Sequence, residues 1–184
     1  MDNRSKKMVL ISHCLCNTNS KVCGFSPQSC SEHHLLAELF SKGYGIIQLP
    51  CPENRVYGNK RWGQSREQFN NPHFKRECTN MLLPFIDEIR DYLENGYDIA
   101  GVISVLGSPS CGYKASYSND SYGGELDFET VEAQISSGKV SHLPGIFMTE
   151  FYKLFEKYSI EIPFIDFNEE KPEESLQAIL RMLE

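Results

Sequence analysis

Short apolar runs alternate along the chain with longer stretches in which hydrophobic residues recur every three to four positions. Met8-Val9-Leu10-Ile11-Ser12, Ile46-Ile47-Gln48-Leu49-Pro50 and Gly101-Val102-Ile103-Ser104-Val105-Leu106 are apolar almost throughout, and each ends at a turn. Such runs suit strands buried on both faces of a parallel sheet. They predict strands at about 8–12, 45–50 and 99–106; Gly145–Thr149 predicts a fourth and Ile162–Phe167 a fifth. Ser29-Cys30-Ser31-Glu32 reads as a capping box, with Ser29 as N-cap and Glu32 reaching back. The helix behind it would bury Leu35, Leu36, Leu39 and Phe40 and end at Gly43, a residue suited to a left-handed cap. Asn71 caps a helix with Pro72 in its first position. That helix carries Leu82, Phe85, Ile86, Ile89, Tyr92 and Leu93 at helical spacing and closes at Asn95-Gly96. Pro84 is expected to kink or split it. A helix over 150–158 and a last one opened by Pro172, burying Leu176, Ile179, Leu180 and Leu183, complete the series.

Strands alternating with helices predict a single Rossmann-like α/β domain over residues 1–184. Its sheet would be mostly parallel, of about five strands, with helices on both faces and right-handed crossovers. A chain of 184 residues suits one domain with an ordinary core. Residues 54–71 read as a loop over the strand ends with one short helical turn. Residues at about 112–144, rich in tyrosine, serine and glycine, read as an inserted loop region with a short helix near Phe128–Ile135. Excursions of that length often serve as lids or substrate walls.

Charge and composition narrow the classes. A formal charge of −7 argues against a long polyanion, so no nucleic-acid partner is expected and a small molecule fits better. Nothing approaches the ~20 apolar residues that cross a bilayer, and the polar start is no signal peptide, so the expectation is a cytoplasmic protein without a membrane partner. Seven cysteines, an odd number without an export signal, favour metal binding or catalysis over a disulfide framework.

Three of those cysteines, Cys14, Cys51 and Cys111, fall just past apolar runs, beside proline or glycine. Ligands in open parallel sheets bind along the carboxyl rim, and strands about 4.8 Å apart bring three adjacent ends within roughly 10 Å. Buried free cysteines are common core residues, but those sit inside strands rather than past their ends. The spacing points to one metal centre with a vacant position. Separations of 37 and 60 residues exclude a zinc knuckle or a ferredoxin-like run. Thiolates select zinc or iron–sulfur clusters; catalytic zinc sites are richer in histidine, whereas a [4Fe–4S] cluster on three cysteines keeps one iron free as a Lewis acid. Cys16 offers a fourth ligand or a substitute for Cys14. Cys23 shares that first crossover, Cys30 at a helix start would be reactive, and Cys78 reads as packing.

Ile11-Ser12-His13-Cys14-Leu15, Cys51-Pro52-Glu53 and Ser108-Pro109-Ser110-Cys111-Gly112 resemble, in order and in placement, the three signature blocks of the thiouracil desulfidase family. The resemblance spans Met8 to about Phe167; the stretches after Cys16 and after Glu53 differ from the family pattern. It implies a [4Fe–4S] cluster bound by Cys14, Cys51 and Cys111, with one iron not bound by protein, and a catalytic pocket that includes Glu53 and Ser108. The implied activity is hydrolytic, non-redox desulfuration of a small thiocarbonyl compound, thiouracil-like or another thioamide, with release of hydrosulfide. Glu53 would deprotonate the attacking water, and Ser108 would donate a hydrogen bond or pass a proton. Ser110 ranks below Ser108. Trp62 could stack on a heterocycle, Arg55 and Arg61 could orient an anionic group, and His13 is expected to point away from the strand ends. His33, His34, His73 and His142 show no ligand spacing. The rival readings are a cluster-dependent dehydratase of a small hydroxy acid and a non-catalytic zinc or thiol-sensing binding protein using Cys14 and Cys16.

Overall fold

The computed structural model describes residues 2–26, 33–125 and 127–183. Four parallel strands form the main sheet: β1 (Lys7–Ile11), β2 (Gly45–Gln48), β3 (Asp98–Val105) and β6 (Phe164–Phe167), in the order β2-β1-β3-β6. The central strand β1 pairs on one side with β2, Leu10 opposite Ile47, and on the other with β3, Leu10 opposite Val102. This is the expected mostly parallel α/β sheet, with four strands rather than five.

Alternation along β1 divides the core. Met8 and Leu10 pack with Ile47, Leu49 and Val102 under α5 (Pro72–Glu94) and α7 (Ile146–Tyr158). Val9 and Ile11 pack with Ile103, Val105 and Phe167 against α2 (Leu35–Ser41) and α8 (Pro172–Met182). Each face of the sheet is therefore covered by a helix layer, which explains why the middle of β1 and of β3 is almost wholly apolar. A register shift between Met8 and Val9 puts an extra β3 residue opposite β1, so Ile99 and Val102 share a face although three positions apart.

Several elements depart from expectation for identifiable reasons. Gly145–Thr149 is not a strand: Gly145 is the N-cap of α7, whose buried face carries Phe147, Phe151, Leu154 and Phe155. The short run has no period of its own, and the helical one emerges only over thirteen residues. Pro84 does not split α5, which runs unbroken for 23 residues behind its Asn71 cap. Pro84 faces solvent, where water can take the carbonyl that the imino acid leaves without a partner, while Leu82 and Ile86 stay buried on either side. Phe40 is 61% exposed rather than buried, because α2 presents only Leu35 and Leu39 fully to the core. The expected Ser29 cap with Glu32, and Cys30, lie outside the described residues.

Residues 54–71 hold two short helices, α3 (Pro52–Tyr57) and α4 (Arg66–Phe69), and the latter has a complete capping box from Ser65 and Gln68. The 112–144 excursion is folded: β4 (Ser116–Ser118) and β5 (Lys139–Ser141) form an antiparallel pair, with α6 (Val131–Ser136) between them. Glu67 of α4 ties the ribbon down, accepting from Ser118 Oγ and Asn119 N at 2.7 Å each. Among the described residues no helix is long and apolar enough to cross a membrane.

An aromatic ladder on α7 packs within the larger core, with Phe151 4.6 Å from Phe155 and 6.0 Å from Phe164 between ring centroids. Phe151→Ala should cost about 3–5 kcal/mol of stability, read as a lower urea midpoint at unchanged slope.

Candidate functional site

The carboxyl ends of β2, β1 and β3 lie side by side, and each is followed within a few residues by one of the three cysteines. After β1, Ser12 donates its N–H to Ile103 O and the chain turns into α1 (His13–Cys16), which carries Cys14. After β2, Leu49 N still bonds Ile11 O; Cys51 then caps α3, its Sγ accepting from Asn54 N at 3.4 Å, with Pro52 in the first helical position. After β3, Gly107 takes a positive φ and the chain folds over Ser108–Gly112.

The Cys111 turn is clamped from three sides. Ser108 Oγ accepts from Cys111 N at 3.0 Å, and Gly112 N donates to Ser108 O. The first turn of α7 adds Ile146 N to Pro109 O and both Phe147 N and Met148 N to Ser110 O. From β6, the Asp166 carboxylate takes Tyr113 N and Lys114 N at 2.7 Å each, along with Ser104 Oγ at 2.7 Å. Gly145 has no room for a side chain, because a Cβ there would lie 2.4 Å from the Ser110 carbonyl carbon. Helix α7 thus sits directly on the peptide that carries Cys111.

Cys111 is buried in the larger core, whereas Cys14, packed against the smaller core, and Cys51 are half-buried. Burial pushes Cys14 up to about 12, and the neighbouring Cys51 and Glu53 push the same way while Lys21 opposes them. Cys111 is raised well above the ordinary thiol value, first by burial and then by Cys14 and Cys51. Burial also raises Cys51. Without a bound cation they stay as neutral thiols.

Glu53 lies against this group with a 12% exposed side chain. Its Oε1 accepts from Ser110 Oγ at 2.5 Å, and its Oε2 accepts from Arg61 Nε at 3.1 Å. Ser110 Oγ is also 3.4 Å from Cys111 Sγ and 3.4 Å from Ser108 Oγ. The hydroxyl in direct contact with Glu53 is therefore that of Ser110, with Ser108 one step further along. Arg61, 3% exposed, is fully engaged: beyond Glu53 it donates to Gly58 O at 3.1 Å and Ser20 O at 2.7 Å. A buried ion pair between Lys21 and Glu169 flanks Cys14 on the β6 side.

The remaining candidates stand apart from this arrangement. Trp62 is 78% exposed, and Arg55 is exposed. His13 Nδ1 lies 3.1 Å from Gln48 Nε2, and burial lowers its pKa. Cys16 packs beside the second core, Cys78 is buried inside α5, and Cys23 is exposed. His33 is buried against the Phe167 ring, whereas His34, His73 and His142 are exposed. No disulfide joins the described cysteines. Ser110 and Arg61 carry contacts that sequence alone ranked low or left general. Asp166 was signalled only by a charge inside the apolar run Phe164-Ile165-Asp166-Phe167, and nothing local pairs Lys21 with Glu169.

Among the described residues no three histidine, cysteine or acidic side chains are grouped to hold a metal ion. That weighs against a single-ion centre, whose sulfur ligands all lie about 2.3 Å from one point. A polynuclear iron–sulfur group accepts thiols set wider apart, and Cys14, Cys51 and Cys111 are the residues that would hold one here.

No family model matches the chain, and no solved structure matches it. The chain is similar to an uncharacterized protein of Methanocaldococcus jannaschii, 26% identical over 181 residues that cover 98% of this chain and 97% of that protein.

In the metal-free protein at about pH 8, iodoacetamide should modify exposed Cys23 readily and leave Cys14, Cys78 and Cys111 largely unreacted, because thiolate is the nucleophile and burial keeps these thiols protonated. Peptide mass spectrometry reads the order, and equal labelling of Cys14 and Cys23 would contradict it. The same raised values make folding stability complete below the unfolded-chain thiol pKa near 8.5 and lost progressively as pH climbs toward about 12. Urea midpoints of the metal-free protein should fall across that window, and less steeply in Cys14→Ala.

Proposed function

We propose that this protein is a hydrolytic, non-redox desulfidase that removes sulfur from a small thiocarbonyl compound in a reducing, cytoplasm-like setting. What supports the reading is that Cys14, Cys51 and Cys111 each follow the carboxyl end of one of three adjacent parallel strands, with the Glu53–Ser110 pair in contact with Cys111. The resemblance of the three sequence blocks to thiouracil desulfidases supports the same reading. Cys14, Cys51 and Cys111 would hold a [4Fe–4S] cluster with one iron not bound by protein. When bound, that group supplies Lewis-acid polarisation of a thiocarbonyl carbon.

The chain's own residues supply the proton chemistry. The overall change is a thiocarbonyl and water going to a carbonyl and hydrosulfide plus a proton. Glu53 Oε1 is the base that takes a proton from the attacking water. Arg61 holds the other carboxylate oxygen and so fixes the direction of Oε1. The Ser110 hydroxyl, at 2.5 Å from Glu53, and the Ser108 hydroxyl beyond it form a short path along which that proton moves toward the departing sulfur. The low exposure of Glu53 and Arg61 limits competing water. Dehydration of a hydroxy acid is less well supported, since it calls for a cation on the substrate carboxylate and Arg61 is already occupied by Glu53 and two carbonyls.

Anaerobic reconstitution should give about four irons and four sulfides per chain, and alanine at Cys14, Cys51 or Cys111 should abolish the brown chromophore. Glu53→Gln should retain the cluster while lowering sulfide release from a thioamide panel by ~10²–10⁴-fold. One zinc per chain without inorganic sulfide, or undiminished turnover by the Gln variant, would overturn the assignment or the base respectively.

A further inference from the structure

Ser12 stands two residues before Cys14 and is 1% exposed. Its backbone is committed on both sides: the N–H goes to Ile103 O, and the carbonyl accepts from Leu15 N. Its hydroxyl is different. Ser12 is the N-cap of α1, where a serine oxygen ordinarily accepts from the first turn, yet no such bond is made. Among the described residues the buried Oγ has no hydrogen-bond partner. A buried hydroxyl without a partner is costly and calls for an explanation.

Its position in the sheet supplies one. Along β1, Ser12 is in phase with Met8 and Leu10, which pack into the core that also contains Leu49 and Cys111. Leu49 in turn is two residues before Cys51. Ser12 therefore stands just past the end of the central strand, in phase with the residues of the core that contains Cys111, between the strand that leads to Cys51 and the one that leads to Cys111. Ser108 and Ser110, the other hydroxyls of the three motifs, are already engaged with Cys111 N and Glu53.

We propose that the Ser12 hydroxyl donates a hydrogen bond to a sulfur of the group held by Cys14, Cys51 and Cys111, and thereby tunes and retains that group. The inference rests on the cluster reading above and adds a residue to it. A hydrogen bond to a cluster sulfur stabilises the more negative, reduced state and raises the reduction potential. Ser12 is a positioning and tuning residue, since it acts on the ligand sphere rather than on substrate.

The test compares wild type, Ser12→Ala and Ser12→Thr as full chains. In the metal-free state, Ser12→Ala should melt at or above the wild-type temperature, because the hydroxyl removed there is unsatisfied. After reconstitution to equal iron and sulfide, Ser12→Ala should show a lower midpoint in an EPR-monitored redox titration and faster bleaching by a chelator, and Ser12→Thr should restore both. Equal midpoints and bleaching rates in loaded wild type and Ser12→Ala would overturn the inference while leaving the cluster intact. A metal-free Ser12→Ala that melts well below wild type would also overturn it, by showing that the hydroxyl is used in the protein alone. Failure of wild type to bind iron and sulfide would instead remove the cluster reading itself, and this inference with it.

Discussion

The parallel pairing of β1 with both of its neighbours is the constraint from which everything at the site descends. Because β2, β1 and β3 run in one direction, their carboxyl ends form one edge, and residues 37 and 60 positions apart in sequence become neighbours. Strand spacing sets the scale of the gathering, and the residues just past each strand set its chemistry. The other contacts refine orientation: Pro52 starts a helix at Cys51, α7 seats the Cys111 peptide, and Asp166 gathers the amides that follow.

The electrostatics of this edge are arranged in compensated units. Glu53 is matched by Arg61, and Glu169 by Lys21, all with little exposure. Buried charges persist when they are paired and hydrogen-bonded, and these two pairs also tie separate loops together. Arg61 joins the end of α3 to the turn at Ser20, while Lys21 and Glu169 join the segments that follow β1 and β6. The same two cations also act on the thiols, Lys21 on Cys14 and Arg61 on Cys51, but desolvation outweighs them and raises both. Charge balance and loop tethering are thus supplied by the same side chains.

The strands that carry the site were legible because burial on both faces leaves an uninterrupted apolar run, and a cysteine just past such a run is conspicuous. Gly145–Thr149 showed the limit of that signal: three apolar residues, Ile146, Phe147 and Met148, look alike in a buried strand and in the first turn of a buried helix, and Gly145 against Ser110 selects the helix. The thiol positions and Glu53 could be read locally, whereas the choice between Ser108 and Ser110 could not. Which hydroxyl turns toward Glu53 depends on α7 bonding the Pro109 and Ser110 carbonyls, a long-range contact with no trace in the motif. Arg61 looked like a solvated loop charge for a similar reason, since Ser20 O, one of its acceptors, lies 41 residues away.

The bond from Gly145 N to Gly112 O closes a narrow neck at the base of the 113–144 excursion. Everything beyond that neck is attached to the domain through its own anchors, such as Glu67 on the ribbon and Arg66 on Pro144 O. Closing a longer loop costs little, about 0.6 kcal/mol per doubling of length. Residues 113–118 stay bound to Asp166 and Gly107 at the Cys111 turn, so it is only the part of the appendage beyond them that the domain can lengthen, shorten or reshape while Cys111 keeps its seat.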